Sequence, residues 1–457
     1  MHKQHLHTIC WYMTDTNQIT IEDVLALAKK SGADGADATL AKGTGTSVQI
    51  RLGALESVEQ ADDYQLGLRV FVGQRTASVS TSKLDKDSVG LLVERAIAMA
   101  KIAPEDPFAR LADASEQATD LPDIDCFDAT ELTTERLREL AESCEAAARD
   151  NAKISNSEGG SASQSTSEVT IANSNGFLGS YKRSSYGFST VVLAEQDGAM
   201  ERDYDYSAAV FAEDLDDPTE IGKSAADRTV ARLGARKAKT GSFPVIFDRR
   251  VSRSLAGHLA SAINGLSIAR GTSFLKDSLG DVVTNSAISL IDDPLRPRSF
   301  GSRAFDGETL PVARRALIDA GTLTGWFLDL SSAAQLGMTP TGNAGRSLSG
   351  PPAPGPSNLL IANGDSSLEA LIGDIQDGFY VTELMGSSVS LLTGDYSRGA
   401  GGFWIENGVI TYPVSEATIA GNLRDMFMQM TPADDIDLRQ SSAAPSIRVD
   451  SLMVAGG

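Results

Sequence analysis

The sequence predicts an α+β protein of more than one domain. Three observations carry this. Ser47–Leu52, Leu55–Gln60, Leu66–Val72 and Thr76–Ser80 alternate apolar and polar residues between glycine turns, the pattern of an antiparallel meander. Helical stripes flank that meander at Ile19–Ser31 and Asp85–Ile102. Beyond them, turn signals separate short strand runs, with no regular strand–helix alternation.

Taken in order, Ile21, Val24, Leu25, Leu27 and Ala28 give the first helix its apolar face. Val89, Leu92, Val93, Ala96, Ile97 and Ala100 do the same for the second, and Pro104 ends it. Glu105–Thr130 is acidic and proline-bearing, and reads as a linker over the first domain. Leu137, Leu140, Ala141 and Cys144 mark a helix over Thr134–Asp150. Asn173-Ser174-Asn175-Gly176 and Asp197-Gly198 punctuate a β-rich stretch from about Ala152 to Phe211, and Pro218–Lys237 is a further helix. This divides the chain into a tail (1–18), an N-terminal α+β domain (19–125), a middle domain (126–238) and a β-rich C-terminal domain (239–457).

The last domain opens on Phe243-Pro244-Val245-Ile246-Phe247, an apolar run fit for a buried strand. Asp248 is placed to cap the following helix, whose face is Val251, Leu255, Leu259, Ala262, Ile263 and Leu266, with Asn264-Gly265 as its stop. Later strands fall at Ala287–Ile291, in a hairpin from Ala316 to Leu328, and at Leu359–Ile361 and Gly378–Leu384. Phe403–Ile405 and Val409–Tyr412 flank Asn407-Gly408, and Ile447–Val454 closes the chain. Leu336–Asn358 is rich in Gly, Pro and Ser. Its Gly-Pro-Pro-Ala-Pro-Gly-Pro run should not join a sheet, and so long a loop is often functional or mobile.

Composition excludes several functions. A net charge of −21 over 457 residues opposes nucleic-acid binding, which needs a basic footprint. Arg249, Arg250 and Arg253 form the best basic cluster and read as solvated first-turn residues. No run approaches the roughly 18 apolar residues of a membrane span. The three cysteines, Cys10, Cys126 and Cys144, are far apart and odd in number, which fits reduced thiols in a cytoplasmic protein. The opening residues carry His2, His5 and His7. They read as an unstructured tail or a start-site artefact, with Met13 as the beginning.

Little catalytic chemistry is visible. Outside the tail His258 is the only imidazole. A Ser–His pair with Ser254 or Ser261 shares its helical face but lacks an elbow and an oxyanion loop. Arg398-Gly399-Ala400-Gly401-Gly402 leads into a strand, so it offers no helix terminus to a phosphate. Asp292-Asp293 and Asp434-Asp435 read as solvated loop residues. No catalytic, cofactor-binding or metal-binding residue is therefore assigned.

Gly257-His258-Leu259-Ala260-Ser261-Ala262-Ile263-Asn264, Ala269-Arg270-Gly271-Thr272-Ser273-Phe274-Leu275-Lys276-Asp277-Ser278-Leu279-Gly280 and Gly421-Asn422-Leu423-Arg424-Asp425-Met426-Phe427 resemble the PmbA (TldE) branch of the TldD/PmbA family. The resemblance runs from about Ile19 to Val454. The family carries the name "modulator of DNA gyrase" and a role in metal-dependent proteolysis. Its TldD-type subunit bears His-Glu-x-x-x-His on the helix corresponding to the one after Asp248. Aligned without gaps on Gly271-Thr272-Ser273, those positions fall here on Ala256, Gly257 and Ser261, and no register supplies two histidines or a glutamate. The resemblance implies a subunit without its own zinc, paired with a TldD-type partner that brings the zinc and the base, or forming a homodimer. The implied substrates are unfolded or precursor peptides. The alternatives are an autonomous homodimeric hydrolase and a gyrase-binding protein.

Overall fold

The computed structural model describes residues 19–456. The expected tail, with His2, His5, His7 and Cys10, lies outside them. The chain begins with α1 (Ile21–Lys30), where Thr20 and Asp23 exchange side-chain-to-backbone bonds in a capping box. The meander follows as β1 (Gly35–Arg51), β2 (Ala54–Val72) and β3 (Arg75–Thr81). Next come α2 (Lys86–Ile102) and α3 (Thr134–Arg149), joined by an irregular stretch. Then come β4 (Ile154–Asn173), β5 (Leu178–Gln196), β6 (Ala199–Ala209) and α4 (Pro218–Ala231).

All six strands join one antiparallel sheet in the order β3-β2-β1-β4-β5-β6. The segments 19–125 and 126–238 therefore share a sheet, because β1 pairs with β4 along nearly its whole length. Strand alternation divides the two faces. Ala36, Ala38, Val48 and Ile50 of β1 point to one face and meet helices there, α1 and α2 over one half and α3 and α4 over the other. Asp37 and Thr39 point the opposite way, toward the C-terminal half of the chain.

That half begins with β7 (Gly241–Phe247), α5 (Arg249–Ala262) and α6 (Gly265–Ala269). Asn264 does not simply stop α5. Its side chain accepts from Leu266 N and caps α6. Next come β8 (Leu290–Asp292), β9 (Arg315–Asp319), β10 (Thr322–Leu323), α7 (Leu330–Leu336), β11 (Ala344–Gly345), β12 (Ala353–Pro354) and β13 (Leu359–Ile361). The chain ends with α8 (Leu368–Gly373), β14 (Asp377–Val389), β15 (Asp395–Glu406), β16 (Val409–Asn422), α9 (Leu423–Met428), β17 (Met430–Pro432), β18 (Ser442–Ala443) and β19 (Ile447–Gly456).

Two larger sheets result, β16-β15-β14-β7-β19-β17 and β10-β9-β8-β13-β18. In the first, β16 also pairs with β19, so the strands close into a ring. Strand outweighs helix, 41% to 22%, in several sheets, which makes the protein α+β.

The Gly/Pro/Ser-rich loop departs from expectation. Ala353–Pro354 pairs with Ala344–Gly345, because a two-residue ladder at a free edge does not need the N–H that proline lacks. The loop is also anchored. Asn343 Nδ2 donates to Asp292 at 2.9 Å, and the Arg346 guanidinium donates to Asp37 on β1. Gly67 on β2 lies so close beneath the loop that a Cβ there would meet Leu348 O at 2.4 Å.

Candidate functional site

Val245, Ile246 and Phe247 are fully buried between β14 and β19, which fixes where α5 starts. Asp248 caps the helix as expected, accepting from Arg250 N at 2.8 Å, and the Tyr380 hydroxyl donates to its other oxygen. Leu255, Ala256, Leu259 and Ala262 have no exposed surface, so the core holds that face of α5. Arg250, Arg253, Ser254 and His258 occupy other faces.

The three aligned motif positions are chemically silent. Ala256 is in the core, a Cβ on Gly257 would meet open space, and Ser261 Oγ donates to Gly257 O at 2.8 Å. Ser254 Oγ likewise donates within the helix, to Val251 O at 2.7 Å. Neither hydroxyl bonds to His258, so no Ser–His pair is assembled. The His258 ring instead meets Tyr396 edge-on, with centroids 5.8 Å apart. Its Nε2 is buried without a partner. Burial, reinforced by the Arg398 charge, lowers its pKa to about 4, so the ring is neutral at physiological pH.

The arginine cluster is not simply solvated. Arg250 donates to Asp203 on β6 at 2.9 Å, and its guanidinium lies 4.6 Å from the centre of the Tyr204 ring. Arg249 reaches Asp435 O, while Arg253 is exposed. Both acidic pairs contain a bonded member. Asp292 is 1% exposed and accepts from Ser357 and Asn343, and Asp435 accepts from Ser446 N and Oγ. These carboxylates brace loops rather than standing solvated as expected. The Arg398–Gly402 run lies inside β15. There Gly402 permits a close crossing, since a Cβ would lie 2.0 Å from Tyr380 O. Cys126 and Cys144 are buried free thiols, and burial pushes the Cys144 pKa up to about 12. Among the described residues no group of three or more His, Cys, Asp or Glu is placed to hold a metal ion.

Beside α5 the structure opens a cavity of about 550 Å³, lined by Arg202, Asp203 and Tyr204 of β6, Arg232 after α4, the first turns of α5, Thr382–Leu384 of β14 and Arg398 of β15. Arg250 and Arg253 stood out in the sequence as part of a basic cluster, but as solvated residues rather than the wall of a cavity. Arg202 and Arg232 were not recognisable, because each is an isolated residue until folding brings its strand or helix to α5, and Arg398 was weighed only within a glycine-rich run that offers no phosphate cradle.

Family profiles match the chain in three consecutive pieces. They are the PmbA/TldA metallopeptidase domain 1 over residues 36–100, the central domain over 127–233 and the C-terminal domain over 240–456. The chain belongs to the PmbA/TldD metallopeptidase family. Within it, the chain is 39% identical over 434 residues to Metalloprotease PmbA of Escherichia coli O157:H7, covering 94% of each. It is 26% identical over 325 residues to a TldD homologue of Buchnera aphidicola, covering 63% of this chain and 66% of that one. A candidate modulator of DNA gyrase from Bacteroides thetaiotaomicron has the same fold, with a TM-score of 0.88 at 28% identity over 96% of this chain and 98% of that one. TldE from Thermococcus kodakarensis superposes with a TM-score of 0.81 at 20% identity, over 95% of this chain and 99% of that one. Among the described residues of this PmbA/TldD-family chain, no helix is long and apolar enough to cross a membrane.

Proposed function

We propose that this chain is the PmbA/TldE-type, metal-free subunit of a two-component cytoplasmic metallopeptidase, shaping the cleft in which an unfolded or precursor peptide is held. The observation that carries this is α5. Metal-assisted peptide hydrolysis needs ligands that fix the ion and a carboxylate that takes a proton from water. At the family's motif positions this helix presents Ala256, Gly257 and Ser261, and its one imidazole is packed against Tyr396. Those residues do not fit a zinc ion. A TldD-type subunit supplies the metal and the base in this reading, and the strand–helix scaffold around α5 is kept for pairing. A net charge of −21 disfavours direct action on DNA.

The test begins with elemental analysis after removal of residues 1–12, so that His2, His5 and His7 cannot bind metal adventitiously. Cleavage of an unfolded peptide is then measured for this chain alone, a TldD-type subunit alone, and the mixture, each with and without chelator. The expected result is no stoichiometric zinc, no cleavage by this chain alone, and chelator-sensitive cleavage by the mixture. Zinc lost on His258→Ala, or chelator-sensitive cleavage by this chain alone, overturns the reading. A stable homodimer that ignores the TldD-type subunit overturns the pairing.

A further inference from the structure

The cavity beside α5 lies where two sheets meet. β6 is the outer strand of the N-terminal sheet, whereas β14 and β15 belong to the C-terminal ring. Cavities at such seams are common places for ligands. Five of its lining residues are arginines and two are carboxylates, in a chain whose net charge is −21.

Both carboxylates are already engaged. Asp203 accepts from Arg250 at 2.9 Å and lies 3.7 Å from Arg232. Glu383 is paired with Arg232, which also reaches Glu201 at 3.1 Å. These pairs hold two of the arginines in the wall. Arg253 and Arg398 differ, since neither has an acidic partner within ion-pair distance among the described residues. Arg398 Nε is also buried without an acceptor. That nitrogen is closed off from the cavity, so an anion in the cavity would be received by the terminal guanidinium nitrogens of Arg398 and by Arg253, which carry no partner among the described residues. The neighbouring His258 is neutral and adds no charge.

The wall also favours one kind of anion carrier. β7 pairs with β14 only over Phe379–Val381, because β7 ends at Phe247 and the chain turns into α5. From Thr382 to Val389, β14 keeps β15 on one side, and no second strand pairs with its other edge among the described residues. That edge starts in the cavity, at Thr382, Glu383 and Leu384. An open strand edge takes an extended peptide through main-chain hydrogen bonds, and guanidiniums take its carboxylates through paired N–H donors.

We infer that the cavity is a carboxylate-binding subsite for an extended acidic peptide, with Arg253 and Arg398 as the receiving groups. The inference rests on the peptide-holding function proposed above and adds which peptides are preferred. The carboxylate comes either from a peptide C-terminus or from an Asp or Glu side chain.

The experiment measures binding of fluorescently labelled, unstructured peptides to the full chain by anisotropy, at fixed ionic strength. The peptides share one neutral sequence in three forms: amidated, with a free C-terminus, and amidated with one internal glutamate. One or both carboxylate forms should bind about tenfold more tightly than the neutral form, the scale of one charge-assisted hydrogen bond. Gain from the free terminus alone assigns the chain end, and gain from the glutamate alone assigns the side chain. R253Q and the double variant R253Q/R398Q should reduce that gain without changing affinity for the neutral peptide. R253Q alone decides if the double variant fails to fold, since Arg253 lies on the exposed face of α5. Equal binding of all three forms, or a preference that survives R253Q and R253Q/R398Q, overturns the subsite and leaves the peptide-holding function standing. Failure of every peptide to bind overturns both.

Discussion

At the scale of single residues, the clearest departures from ordinary chemistry are two buried titratable groups. Burial, with Arg398 adding to it, holds the His258 pKa down to about 4. Its NMR titration should therefore fall near that value, well below an unstructured histidine, and a midpoint near the usual 6.5 would show that the packing against Tyr396 is wrong. Glu308 is shifted the other way. Burial pushes its pKa up to about 8, Arg69 opposes the rise, and Asp306 and Asp329 add to it. The native state thus holds a proton on Glu308 that the unfolded chain releases near pH 4.5. Stability from this group is full below the unfolded value and is lost as pH rises from there through about 8, with a slope of at most about 1.4 kcal/mol per pH unit. Glu308→Gln should flatten the stability curve, measured by urea unfolding, between about pH 4.5 and pH 8. An unchanged slope would mean that Glu308 is already ionised in the fold. Neither shift was visible in the sequence, where His258 was only a lone imidazole and Glu308 was not singled out. Both depend on which distant segments close over the residue.

At the scale of elements, the sequence was most informative where pattern and punctuation agreed. β7, the Asp248 cap and α5 were readable because a short apolar run meets a capping carboxylate and then a stripe of helical period. The turns at Asn407-Gly408 and Asp197-Gly198 join the strands expected of them. β4 was only partly readable. Its Ile154–Ser167 portion is rich in Ser and Gly, and it is held as a strand by pairing with β1 and β5 rather than by its own apolar residues. Helix contacts carry similar hidden constraints. Gly222 on α4 faces α3 so closely that a Cβ would lie 2.2 Å from Cys144 O and 2.9 Å from Ala147 Cβ. Glycine to alanine in a helix ordinarily stabilises by up to about 1 kcal/mol. Here the clash is with backbone and decides the sign, so Gly222→Ala should destabilise by about 1–3 kcal/mol in urea unfolding. A stabilised variant would mean that α3 and α4 can separate at no cost.

At the scale of the whole molecule, the N-terminal sheet and the C-terminal half are fastened by a buried ionic network that a linear division of the chain does not anticipate. Asp37 of β1 accepts from Arg69 of β2 at 2.9 Å and 2.5 Å, and also from Arg346, more than three hundred residues away. Arg69 in turn lies 3.6 Å from Glu308, which is protonated at neutral pH and meets it as a neutral group. Burial opposes ionisation of Asp37, yet the charges of Arg346 and Arg69 hold its pKa below the usual carboxylate value. Only Arg346 and Glu308 belong to the C-terminal half, so removing Arg346 weakens the fastening while leaving the Asp37–Arg69 pair within the sheet. Breaking one member of a buried network costs about 3–5 kcal/mol. In Arg346→Met that loss falls on the contact between the halves. The wild-type chain should therefore unfold in urea with coincident changes in far-ultraviolet circular dichroism and tryptophan fluorescence, and the variant should separate them. After removal of residues 1–12 the remaining tryptophans, Trp326 and Trp404, both lie in the C-terminal half, so fluorescence reports that half while dichroism reports all sheets. Coincident transitions in Arg346→Met with an unchanged midpoint would show that apolar contacts such as Phe177 against Phe305, 5.0 Å apart, join the halves without the network.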